Sequence, residues 1–134
     1  MPPHKARTGT LAFLLAYAVA SLLHFAHNAE YLRDYPNLPA SWTRADVYLA
    51  WLAQSAVGLG GYVLLRAGWP RTGLALIGAY ALTGFFGLAH YHVAPIAAHT
   101  LAMSATIGVE AVAGALLLAA VWREFSGAGR RFPK

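Results

Sequence analysis

Five of the six histidines in this chain fall in three short stretches: His24 and His27 in "HFAHNAEYL" (24–32), His90 and His92 in "HYHVAP" (90–95), and His99 shortly after. Neutral imidazole is a ligand for Zn, Cu, Fe and Ni, and two histidines three residues apart on a helix can approach one ion. The chain has no cysteine. Thiolate metal sites, disulfides, CxxC redox chemistry and c-type haem attachment are therefore excluded, and any metal must be held by nitrogen and oxygen. Asn28 and Glu30 would supply an oxygen ligand or a hydrogen bond that fixes an imidazole tautomer, and Met103 would favour copper if it joined.

Residues of this kind need a scaffold, and the scaffold is apolar. Hydrophobic residues make up 58% of the 134, only 11% are charged, and mean hydropathy is +0.49, whereas an average soluble domain is about 25% charged. Four apolar runs, over about 9–32, 45–67, 71–92 and 96–122, each approach the roughly 20 residues that cross about 30 Å of hydrocarbon. The first ends in His, Asn, Glu and Tyr instead of small residues, which argues for a retained span and against a cleaved signal peptide. "YPNLPASW" (35–42) and "GWPR" (68–71) read as turns, and Pro95 suits the first turn of the fourth helix. The expectation is an all-α integral membrane four-helix bundle, one domain over 1–134, with antiparallel up-and-down neighbours.

The net charge of +5 does not point to nucleic acid, because the basic residues flank apolar runs instead of forming a patch with interleaved aromatics. They read as topology signals. Lys5, Arg7, Arg66, Arg71, Arg123, Arg130, Arg131 and Lys134 lie at the termini or in the second loop, against Arg33 and Arg44 on the opposite side. By the positive-inside rule both termini are expected in the cytoplasm. Trp42, Trp51, Trp69 and Trp122 fall near span ends, where an aromatic belt sits.

With that orientation His24, His27, His90 and His99 all come near the outer ends of their spans. At about 100° per residue, Tyr17, Ser21, His24, His27, Asn28 and Tyr31 share one face of the first span. Tyr80, Thr83, Gly87 and His90 do the same on the third, and His99, Met103, Thr106 and Glu110 on the fourth. Polar faces turned to lipid are costly, so these should line a common interior. The expected site is a transition-metal centre (Zn, Cu or Fe) formed by His24, His27, His90 and His99, in which an open coordination position would make a membrane metalloenzyme or oxidoreductase. The alternative from another class is haem b with two axial histidines, such as His24 with His99, serving electron transfer. A metal transporter formed by a homo-oligomer, or an accessory subunit of a membrane complex, also fits the topology.

Glu110 is the second anomaly. Near the middle of the fourth span an ionised carboxylate costs at least about 2.5 kcal/mol, so this side chain must be neutral or partnered. Ser21, Thr83 and the Gln54–Gly58 turn are expected at its depth. Along the fourth helix it lies roughly 16 Å from His99 at 1.5 Å per residue, too far to share the same ion, so its expected part is proton movement or interhelical hydrogen bonding. Glu110 and Glu30 are the candidate catalytic carboxyls.

"HNAEY" (27–31), followed by "YPNLPASW" and later by "HYHVAP", resembles the HXXEE group of small multi-span bacterial membrane proteins. Glu30 matches the first glutamate of that signature, and Tyr31 stands where the second would be. The resemblance implies a multi-pass protein of the bacterial inner membrane and weight on His27 and Glu30. It carries no chemistry of its own.

Overall fold

A computed structural model of the chain describes residues 3–129, with side-chain environments for 9–127. The basic residues Arg130, Arg131 and Lys134, and the side chains of Lys5 and Arg7, lie outside the described residues. The elements are α1 (Pro3–Glu30), α2 (Arg44–Arg66), α3 (Pro70–Thr83), a 3-10 turn (Phe86–Ala89), a single helical turn α4 (His90–Val93), a second 3-10 turn (Ile96–Ala98) and α5 (Leu101–Gly129). There is no strand among the described residues. Four segments are long and apolar enough to cross a membrane: Gly9–Glu30, Arg44–Arg66, Pro70–Val93 and Leu101–Gly127.

Local chemistry sets the ends of these elements. Thr43 caps α2 in a reciprocal box: its hydroxyl accepts from the Asp46 N–H at 3.2 Å, and its own N–H donates to Asp46 Oδ2 at 2.8 Å. Gly68 takes a φ of +91°, which a side chain would resist, and Pro70 opens α3 where no N–H is needed. The fourth span departs from expectation. Its helix starts at Leu101 and not near 96, because Pro95 and His99 are both extended and Ile96–Ala98 closes as a 3-10 turn between them. Thr100 then caps the helix, its hydroxyl accepting from the Met103 N–H at 3.2 Å. His99 is therefore on the lead-in to α5 and not on its polar stripe.

The third span departs as well. Instead of one helix over 71–92, α3 stops at Thr83, whose hydroxyl donates back to the Tyr80 carbonyl at 2.7 Å, and regular α-helix resumes only at His90. The break coincides with close backbone approaches. A Cβ at Gly84 would lie 2.8 Å from the Tyr17 ring and 3.2 Å from the Glu110 carbonyl oxygen. Non-helical backbone at this depth is tolerated where protein surrounds it, and Gly84 and Gly87 are both buried.

α1 packs on α2 and α5, and α3 packs on the same two helices, so the four long helices close a ring. Small residues bring backbones together, as membrane helices require: a Cβ at Gly73 would meet the Leu65 nitrogen at 2.6 Å and the Gly61 carbonyl at 2.7 Å. One part of the interior is an apolar layer to which all four contribute, with Leu14 from α1, Leu65 from α2, Leu74 and Ile77 from α3, and Leu117 and Val121 from α5. Polar side chains occupy the rest, among them Ser21 and Glu110 at 0% exposure and His24 at 2%. Large apolar side chains such as Leu15, Leu59 and Val112 face outward. Apolar outside and polar inside is the order that suits hydrocarbon as the surrounding solvent.

Candidate functional site

α1 presents Ser21, His24 and Asn28 to the interior at helical spacing. His24 Nδ1 lies 3.5 Å from the Thr106 hydroxyl oxygen of α5. That hydroxyl already donates to the Met103 carbonyl at 3.0 Å, so toward His24 it accepts, which places the imidazole proton on Nδ1 and leaves Nε2 bare. The nearest acid to that nitrogen is Glu110, with Oε2 at 3.8 Å. Both Glu110 carboxyl oxygens are buried without a hydrogen-bond partner among the described residues. The third span passes this pair as bare backbone, since a Cβ at Gly87 would stand 3.3 Å from both Glu110 Oε2 and His24 Nε2.

His99 shows the same tautomer by a different device. Its Nδ1–H donates to the Pro95 carbonyl at 3.1 Å, a bond made possible by the extended lead-in. Nε2 is thereby a lone pair, and it is buried with no partner among the described residues. His90, at the resumption of the third span, stands beside both, its ring centre 5.8 Å from that of His24 and 6.2 Å from that of His99. The Asn28 amide donates to His90 Nε2 at 3.2 Å.

Two expected members lie differently. His27 turns to Tyr35, with Nδ1 3.0 Å from the phenol oxygen, a ring whose centre is 4.9 Å from that of His90. Burial pushes the Tyr35 phenol up to about 12, against the smaller opposing effect of the Thr106 hydroxyl. Tyr35 thus keeps its proton at neutral pH and is a donor for His27. Glu30 is a correction. It is exposed, pairs with Arg44 at 3.1 Å and accepts from the Tyr48 hydroxyl at 2.9 Å. Six residues of helix turn position 30 about 120° away from His24, so Glu30 ties α1 to α2 and does not face the histidines. His92 is exposed.

Glu110 is corrected in the opposite direction. Its distance from His99 along α5 says nothing about α1, and across the bundle it adjoins His24. The hydroxyls and amide expected at its depth are present, yet they bond one another: Gln54 donates to Ser21 at 2.9 Å, and Tyr17 and Thr83 share a hydrogen bond of 2.9 Å. Tyr35 and the Thr106 bond were not visible from spacing. Tyr35 lies in a loop, where helical periodicity does not apply, and its one signal was an aromatic with a polar tip beside a proline near a span end.

No three His, Asp or Glu side chains among the described residues are already gathered on one metal position. Two imidazoles on a tetrahedral ion, with metal–nitrogen bonds of about 2.0–2.1 Å, bring their ring centres to about 5 Å; the observed 5.8 and 6.2 Å are somewhat wider. The donor chemistry fits. His24 and His99 each have Nδ1–H tied to an oxygen and Nε2 free, the arrangement by which proteins orient a metal-binding imidazole. Two cavities, of about 320 Å³ beside Glu30 and Arg44 and about 590 Å³ between Gly78 and Trp122, have no histidine in their walls. Comparison with family models, with curated proteins and with solved structures finds no match to this chain.

Proposed function

We propose that the chain is a multi-pass protein of the bacterial inner membrane, an antiparallel up-and-down bundle with both termini cytoplasmic, that binds one transition-metal ion (Zn, Cu or Fe) through His24, His90 and His99 near the outer face. The up-and-down arrangement is supported by Thr10 bonding to Glu124 and His24 to Thr106, pairs that run in opposite order along α1 and α5. The observation that carries the metal reading is the buried, unpartnered Nε2 of His99, whose tautomer is set by the Pro95 carbonyl. A lone pair left so is costly unless something binds it. Haem b between His24 and His99 is less well served, because the ring of His90 adjoins both.

An ion with an open position there would supply a Lewis acid for water or oxygen. The chain's own residues would divide the remaining work. The Pro95 carbonyl and the Thr106 hydroxyl orient His99 and His24, Asn28 holds His90 until its Nε2 is drawn away, and Glu110 offers a carboxyl to whatever occupies the space near His24. His27 with Tyr35 closes the outer side as a hydrogen-bonded pair.

The test is metal content of the detergent-purified protein after supply of Zn, Cu and Fe salts in turn. Wild type is expected to retain close to one equivalent of one of them, and the double variant His24→Ala/His99→Ala to retain none, with unchanged helical content by circular dichroism. Full occupancy in that variant, or an empty wild type, would overturn the reading. A sharp visible band from iron-loaded wild type would favour haem instead.

A further inference from the structure

On the outside of the bundle, α3 and α5 leave a groove of about 590 Å³ between them. Small residues give it depth, Ala75 and Gly78 from α3 and Ala115 and Ala119 from α5, and the exposed rings of Trp122 and Phe125 stand over it. Gly78 differs from the glycines that bring backbones together. A Cβ there would meet only side chains at ordinary contact distance, Val121 at 3.5 Å and Leu118 at 3.9 Å, whereas at Gly73 it would strike the Leu65 backbone. The missing side chain at 78 therefore keeps a space open instead of letting two helices touch.

The groove begins at a positively charged end of the bundle. Along α3, Arg71 precedes Leu74, Ala75 and Gly78 by three, four and seven residues, so it stands on the groove's own face, one turn beyond it. Contacts between α3 and α5 run in opposite order, Gly78 by Val121 and Ala81 by Gly114, which sets Arg71 near the level of Phe125. Arg71 is exposed and makes no ion pair among the described residues. Arg66 and Arg123, also exposed, lie at the same end. Among the described residues the one acid there is Glu124, and it turns to Thr10 of α1. An apolar groove thus opens beside an uncompensated arginine.

We propose that this groove is a binding site for one anionic phospholipid, with its phosphate at Arg71 and one acyl chain lying along Gly78 and Ala119. From Phe125 to Ala115 the groove runs about 15 Å at 1.5 Å per residue, about half of the roughly 30 Å of hydrocarbon. That is the depth of one leaflet, and so the reach of one chain. A helix from a second copy crosses both leaflets and would need about twice the length. Basic residues at the ends of membrane helices select anionic headgroups, and the apolar lining accepts the chain. The site faces lipid, away from the interior histidines, and does not rest on the metal reading.

Lipid retention by detergent-purified protein tests it. The protein is exchanged into maltoside micelles holding equal amounts of phosphatidylglycerol and phosphatidylcholine, and weighed intact by native mass spectrometry. Wild type is expected to hold one phosphatidylglycerol per chain in preference to phosphatidylcholine. Ala119→Phe, which fills the groove from an exposed position, is expected to lose that lipid. Arg71→Gln is expected to keep a lipid and lose about fivefold of the headgroup preference, the scale of one arginine at an anionic surface. Leu59→Phe, on the outward face of α2, is expected to bind as wild type does. Equal retention of the two lipids by wild type, a preference unchanged in Arg71→Gln, or retention unchanged in Ala119→Phe would each overturn the proposal. So would a wild-type dimer that holds no lipid and that Ala119→Phe converts to monomer, since the occupant would then be a second copy of the chain.

Discussion

The two halves of the bundle interior are built on opposite principles. Around Ile77 and Leu117 four helices meet through fully buried aliphatic side chains and backbones as close as Gly61 and Gly73 allow. Around His24 and Glu110 the same helices meet through imidazoles, an amide and a carboxyl, several with a polar atom unpartnered among the described residues. In hydrocarbon the first half gains from close packing alone, since lipid tails are as apolar as leucine. The second half gains little and leaves costs uncompensated. Stability therefore resides in the leucine half and the proposed metal chemistry in the histidine half, and substitutions should separate the two.

The largest effect is expected from Gly73→Leu. Its side chain would start 2.6 Å from the Leu65 backbone nitrogen, a contact that only separation of α2 from α3 relieves, so loss should exceed about 4 kcal/mol and show as failure to survive detergent extraction. Next comes Leu117→Ala. It empties a 0%-exposed position and should cost on the order of 2–5 kcal/mol in reversible denaturation, with metal content per folded chain unchanged. His24→Phe on the other side should cost about 1 kcal/mol or less, the scale of measured membrane hydrogen bonds, while abolishing metal retention. If the two variants exchanged these signatures, the division between the halves would fail.

The smallest effect belongs to the rim. The Tyr35 phenol is held at about 12, above its ordinary 10.0, so the folded protein retains this proton where the unfolded chain has lost it. The resulting stabilisation is fully present below pH 10 and disappears as pH rises from 10 to about 12. Tyr35→Phe should flatten that alkaline decline and lower stability at pH 7 by about 0.6 kcal/mol. An unchanged decline in the variant would show that Tyr35 is not the group responsible.

By itself the sequence determined how many segments can cross a membrane, and that polar faces on three of them must turn inward. Both follow from hydropathy and helical period, which are local properties and act on any chain in contact with lipid. It also pointed to His24, His27, His90 and His99, because rare polar residues in apolar runs have few places to go. Only the tertiary structure decided their neighbours. The extended stretch at Pro95 to Thr100 moved His99 off the helix and set its tautomer, and glycines 84 and 87 broke the third span so that bare backbone passes Glu110. The facing of α1 and α5 then brought His24 beside that carboxyl, although spacing along α5 had set it apart, while the turn of α1 toward α2 carried Glu30 away to Arg44. Distances across helices depend on where each helix begins and on how closely backbones approach. Those are consequences of packing, which a periodicity read along one segment does not contain.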